Sequence, residues 1–272
     1  MSINKNHVRF LSAMVLLLLA VAPLAAADRV IFRGTDLWTT PGDGSTFVDF
    51  KLNPIPSGFF CAGSAPFDGR ITFQGAAIET DRPGQLRNVD TIVERLDDAP
   101  FDKRGVTSTR IQVRALHLVG TVPVKTTCGS FSAKLLLDGD QPVTKMRIVR
   151  ETPSSGFFVA PLALNAKLVF TPIGRGQRTP LELKQQVRFN HNPPEPWTFE
   201  NPAGIEAPEK WAMTVDTNAD GRADTTLSGT SNFSAGRGAT NKIARSCHWY
   251  FDDETQTNKQ HCVYYCDLCV EP

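Results

Sequence analysis

Arg110-Ile111-Gln112-Val113-Arg114-Ala115 alternates polar and apolar side chains without a break. Successive residues of a strand point to opposite faces, so Ile111, Val113 and Ala115 fall on one side and Arg110, Gln112 and Arg114 on the other. This period of two predicts a half-buried β-strand. Leu162, Leu164, Ala166, Leu168 and Phe170 carry the same period, as do Trp211, Met213 and Val215. Between such runs Asn53-Pro54, Arg82-Pro83-Gly84, Asn192-Pro193-Pro194 and Asn201-Pro202 supply the residues that turns require. No helical period competes in the body of the chain, and the expected class is all-β.

The strands invite division. Ser57-Gly58-Phe59-Phe60-Cys61-Ala62, ahead of Arg70-Ile71-Thr72-Phe73, is echoed by Ser155-Gly156-Phe157-Phe158-Val159-Ala160 ahead of Lys167-Leu168-Val169-Phe170. An offset of about a hundred residues is the size of one small β-sandwich. The expectation is one or two tandem β-sandwich domains, the pair being residues 28–140 and 141–228, with a single larger sandwich or barrel as the alternative. Ser228 to Asn241 is rich in Gly, Ser, Thr and Asn with Phe233 as its large apolar residue, so 229–245 reads as a flexible linker. A short cysteine-rich tail, 246–272, completes the plan.

At the other end, Lys5 and Arg9 precede the apolar run Phe10 to Val21, and Ala25-Ala26-Ala27 precedes Asp28. That order reads as a secretory signal peptide over 1–27, cleaved after Ala27, because the run is too short for a membrane span and ends in small residues. The mature chain is expected to be secreted or periplasmic, without membrane insertion. Losing Lys5 and Arg9 takes the 29 basic residues to 27 against 28 acidic ones. A balanced charge without a basic stripe offers no footprint for nucleic acid.

All six cysteines follow the signal, where an oxidising compartment favours disulfides. Cys61 and Cys128 lie far from the rest and most simply pair together. Closing a loop of that length contributes about 4 kcal/mol by limiting the unfolded chain. Cys247, Cys262, Cys266 and Cys269 remain for two bonds in the tail. With His248 and His261 they also have the ligand types of a zinc site, but their spacing is irregular and oxidation outside the cytoplasm comes first, so disulfides are preferred to Zn²⁺. Cys266-Asp267-Leu268-Cys269 matches a redox Cys-x-x-Cys, without the following helix that would lower the thiolate pKa.

The strongest chemical signal is Asp216-Thr217-Asn218-Ala219-Asp220-Gly221-Arg222-Ala223-Asp224. Asp216, Asn218, Asp220 and Asp224 stand at positions 1, 3, 5 and 9, Arg222 would offer its carbonyl, and Gly221 takes the sharp bend. Hard oxygens at this spacing suit Ca²⁺. The stretch resembles the Asp-x-Asn-x-Asp-Gly-x-x-Asp loops of dockerins, thrombospondin type 3 repeats and integrin-type FG-GAP blades, over these nine residues only. That resemblance implies a structural calcium. Leu227 stands at position 12, where a dockerin has an acid, so affinity should be low. The competing reading is an Asn/Asp/Gly hairpin turn with no ion.

Other chemistry is sparse. Glu94, Asp97, Asp98 and Asp102 crowd one segment and could supply a general acid and base, although a solvated acidic loop explains them as well. There is no Gly-x-Ser-x-Gly elbow and no His-Glu-x-x-His motif. His117 reads as a packed strand residue and His191 as a loop residue. Trp197, Trp211, Trp249, Tyr250, Tyr264 and Tyr265 are the rings that could stack on a sugar or anchor a partner.

In general character the chain resembles a bacterial secreted β protein. The leading expectation is a calcium-stabilised, disulfide-braced module without catalytic activity that binds a protein or carbohydrate at the cell exterior. A secreted hydrolase with carboxylates from separate loops is the alternative, and a metal-binding or redox tail the third.

Overall fold

The computed structural model describes residues 30–81, 86–174, 179–189, 194–199, 213–228, 233–235, 244–252 and 257–262, with 234–235 and all beyond 243 described by their backbone. The signal segment 1–27, His191, Trp211, Tyr264, Tyr265, Cys266 and Cys269 lie outside them. In chain order the strands are β1 (Val30–Ile31), β2 (Gly34–Trp38), β3 (Phe47–Asp49), β4 (Arg70–Gly75), β5 (Thr91–Arg95), β6 (Ala99–Pro100) and β7 (Val106–Gly120). There follow β8 (Val124–Thr126), β9 (Gly129–Leu137), β10 (Val143–Thr152), β11 (Ser155–Val159), β12 (Leu162–Ile173) and β13 (Leu181–Phe189). The last are β14 (Glu195–Thr198), β15 (Met213–Val215), β16 (Thr225–Leu227), β17 (Ser234–Ala235), β18 (Ala244–Asp252) and β19 (Thr257–Cys262). No helix occurs among the described residues, and the protein is all-β.

Fifteen of these strands form one sheet whose main path runs β17-β14-β11-β10-β7-β9-β12-β13-β18-β19. The strand quoted first, β7, is its hub. Residues 106–112 pair with β10 and residues 111–116 with β5, while 117–119 pair with β9 and 118–120 with β4. Ile111, Val113 and Ala115 are buried and Arg110 and Arg114 exposed, as alternation requires. The period then fails. Against β5 the register slips between Ile92 and Val93, a bulge that lets β7 leave one set of neighbours for another. From Ala115 to Leu118 four successive residues are buried.

The pairings of β7 with β10 and of β9 with β12 carry the sheet across residue 140. Side chains from both sides of that position enter one core: Trp38, Phe50, Ile111, Met146, Phe158, Leu164 and Phe170 belong to the same buried cluster. Strand β12 is the most regular part, with Leu162, Leu164, Ala166, Leu168 and Phe170 all inside. A smaller cluster of Ile78, Leu86, Val89, Ile92, Ala115, Met213, Val215 and Leu227 lies beneath the β15–β16 hairpin.

The first halves of the two sequence echoes fold differently, although Arg70 to Phe73 and Lys167 to Phe170 are both strand. Ser155 to Val159 is strand β11, whereas Ser57 to Cys61 is a turn. Pro54 and Pro56 withhold backbone donors there, Gly58 has φ 79°, and Cys61 is bonded to Cys128 with a Cα–Cα separation of 5.9 Å. Phe233 is likewise no linker residue. It is 4% exposed, stacks on Trp197 and precedes β17, which pairs with β14.

Charged groups enter the core as well. Arg95 Nε donates to both oxygens of Asp36 at 3.0 Å, Nη1 donates to the Phe32 carbonyl, and both members of the ion pair are fully buried. Asp90 accepts from the Thr40 N–H at 2.5 Å and from the hydroxyls of Thr40 and Thr91 at 2.9 and 2.7 Å. Burial pushes its carboxyl up to about 6, with the hydrogen bonds from Thr91 and Thr40 opposing. Gly75 faces this carboxylate so closely that any Cβ would collide with it.

Candidate functional site

The nine-residue oxygen-rich stretch joins β15 to β16, so it is a loop between strands. Its first residue organises it. Asp216 is 2% exposed, and its Oδ1 accepts from the N–H groups of Asn218, Ala219 and Asp220 at 3.2, 2.7 and 3.3 Å. Oδ2 accepts from the Gly221 N–H at 2.9 Å. Four backbone donors thus converge on one carboxylate, as a tight turn around an anion permits. Ala219 at φ 61° and Gly221 at φ 86° make the bends that aim these donors inward.

The outer oxygens are arranged in sequence. Asn218 Oδ1 accepts from Asp220 N–H at 3.0 Å, Asp220 Oδ1 from Arg222 N–H at 2.8 Å, and Asp224 Oδ1 from the Thr225 hydroxyl at 3.2 Å. Asn218 Nδ2 also donates to Asp220 Oδ2 at 3.2 Å. Each outer carboxylate keeps acceptor capacity, because an ionised carboxylate offers about four lone-pair sites. These are hard oxygens on a preformed turn and fit calcium in kind. Among the described residues no three or more Asp, Glu, His or Cys side chains are grouped so as to hold a metal ion by themselves. An ion here would draw on the Asn218 amide oxygen and the Arg222 carbonyl as well as on acids. Leu227, at position 12, is 7% exposed and packs in the smaller core, so that place anchors the hairpin and supplies no ligand.

The loop is fastened from behind. Asp216 N–H donates to the Glu79 carbonyl at 2.9 Å, and Thr80 bridges to Val215. His117, 6% exposed, is hydrogen-bonded to the Thr217 backbone. Burial holds its imidazole below the usual value, while the neighbouring Asp216 charge opposes this.

The acids considered for hydrolysis are otherwise engaged. Arg114 meets Glu94 at 2.6 Å, Arg110 meets Asp97 at 2.8 Å and Arg104 meets Asp102 at 3.3 Å. Asp98 accepts from the Arg33 N–H at 2.7 Å. Hydrogen bonds from Arg110 hold Asp97 below the ordinary carboxylate range, and those from the Val106 and Arg104 backbones do the same for Asp102. A catalytic acid needs the opposite shift. Among the rings, Trp197 is a core residue at 1% exposure, donating Nε1–H to the Val149 carbonyl at 3.0 Å, and is not available to a ligand.

In the tail, β18 and β19 form a hairpin that joins the main sheet through β13. Cys247 stands opposite Cys262 in register, and His248 opposite His261. Neighbouring positions of a strand lie on opposite faces, so the two cysteine positions share one face of the hairpin and the two histidine positions the other. Comparisons of the chain with models of protein families, with curated proteins and with solved structures find no match.

Proposed function

We propose that the protein is an extracytoplasmic binding module, braced by the Cys61–Cys128 bond and stabilised by calcium at Asp216 to Asp224, with no catalytic role. The observation that carries this reading is the buried Asp216 carboxylate, which gathers four backbone donors and fixes the turn before any ion arrives. Asp216, Asn218, Asp220 and Asp224, with the Arg222 carbonyl, are the groups that would hold the ion. Calcium would neutralise three acids gathered in nine residues and so favour the folded state. The engagement of Glu94, Asp97 and Asp102 with arginines favours a binding role over hydrolysis. Tail disulfides among Cys247, Cys262, Cys266 and Cys269 belong to the same proposal, as does the signal peptide.

Thermal unfolding of the mature chain, beginning at Asp28, in millimolar calcium and in chelator tests the ion. At ten times Kd the gain is about 1.4 kcal/mol. Asp216→Ala is a poor probe, since that carboxylate caps the turn with or without calcium. Asp220→Ala is the better one: it should abolish the calcium-dependent rise while lowering stability in chelator by only about 1 kcal/mol, the worth of the exposed turn hydrogen bonds it accepts. A wild-type melt indifferent to calcium would leave the stretch as a hairpin turn.

A further inference from the structure

On the side of the sheet away from the main core, β7, β10 and β11 form the bed of a groove of about 810 Å³. The volume falls in the range of ligand sites, and the groove is an open one. Its apolar lining is aliphatic: Pro100, Val106, Val159 and Pro161. Lys145 and Arg147 stand over it from β10, two residues apart and both exposed. The alternation Val143-Thr144-Lys145-Met146-Arg147-Ile148 already places both cations on one face, a signal the charge balance of the whole chain conceals. Arg147 lies in register between Ser108 on β7 and Val159 on β11.

The electrostatics are one-sided. Arg110, opposite Lys145, is neutralised by Asp97, and the lining Asp102 by Arg104 and two backbone N–H groups. Lys145 and Arg147 have no ion-pair partner among the described residues. Two like charges on one strand face repel unless an anion lies between or above them. Beside them Ser108 brings a hydroxyl to the lining.

We infer that this groove binds an extended acidic segment of a partner protein, with two carboxylates two residues apart on the face that meets Lys145 and Arg147. The spacing follows from strand geometry: residues i and i+2 of an extended peptide repeat at the same interval as i and i+2 of β10, about 7 Å. A sugar chain is the weaker fit, because no aromatic ring lines the groove to stack on it. The inference deepens the binding-module reading and rests on it for the role, though not on calcium.

The test is fluorescence anisotropy of the mature, oxidised chain with a labelled peptide alternating glutamate and valine, at low and moderate salt, in calcium and again in chelator. Saturable binding that weakens with salt, falls about tenfold or more in K145E/R147E and is unchanged in the remote control K51E/K125E is the expected result. Both groove residues are exposed, and an unchanged melt of the double variant certifies its fold. No saturable binding, equal affinity of the double variant and the wild type, or tighter binding of an oligouronate than of the peptide would each overturn the assignment. A protein that binds the peptide equally in calcium and chelator, and melts equally in both, would retain the groove and lose the calcium loop. One that is stabilised by calcium but ignores the peptide would do the reverse.

Discussion

Asp90 shows how far a single residue can depart from what its type suggests. It sits in the core with hydrogen bonds to Thr40 and Thr91, and its carboxyl is pushed up to about 6 from 3.8. Its folded value exceeds its unfolded value, so between pH 4 and 6 the folded chain holds the extra proton. The Asp90 contribution to stability therefore declines as pH rises through this window, by about 3 kcal/mol in all, and is fully present below it. In Asp90→Asn this component should vanish, since the amide oxygen can accept from Thr40 N–H while its NH₂ donates to the hydroxyls. Denaturant midpoints at pH 4, 5 and 6 decide it: an unchanged pH slope in the variant would refute the assignment. None of this was legible in the sequence, where nothing local marks Asp36, Asp90 or Arg95 as core residues. Hydropathy records what a side chain prefers, not the partner that makes burial tolerable. The same blindness applied to Trp197, whose indole suits a ligand as well as a core.

At the scale of elements, period-two patterns located β7, β12 and β15 because a half-buried strand must alternate. They were silent on partners, since alternation is the same whichever strand lies alongside. The bulge in β7 was hidden for a related reason: Ala115-Leu116-His117-Leu118 reads equally as a covered strand or a change of register. The echo around Phe59 and Phe157 misled because aromatic pairs suit both a strand and a turn, and the flanking prolines decided which. The β15–β16 loop was the most legible element, its Asp, Asn and Gly spacing demanding a turn with or without an ion. Gly221, at φ 86°, should resist replacement. Gly221→Ala is expected to cost about 1–2 kcal/mol, in chelator as in calcium, because a Cβ disfavours this conformation. Equal stability of the two proteins in urea titrations would show that the bend is not needed.

For the molecule as a whole, the Cys61–Cys128 bond was readable by elimination, because two cysteines far from the remaining four have little alternative. It joins the turn after Pro56 to the segment before β9, closing a separation of 67 residues. Replacing both cysteines by serine should destabilise the fold by about 4 kcal/mol by freeing the unfolded chain. A loss below about 1 kcal/mol in equilibrium unfolding would show that the segment is already held by its packing around Phe60. How the chain is wound was the least legible property, since pairing partners lie far apart in sequence and nothing local names them.

The hub position of β7 bears on time as well as on form. Its residues cannot acquire their ladder partners until chain from β4 through β10 is present, so assembly waits on loop closures spanning about two fifths of the described sequence, and topologies of that kind fold in milliseconds to seconds. The same dependence operates in reverse. With neighbours on both edges, the amides of 111–112 and 118–119 have no local route to solvent, so their deuterium uptake should follow opening of the entire sheet and be the slowest in the protein. Faster uptake there than in β12 would mean that the bulge opens by itself, and that the strand holding the sheet together is also where it first comes apart.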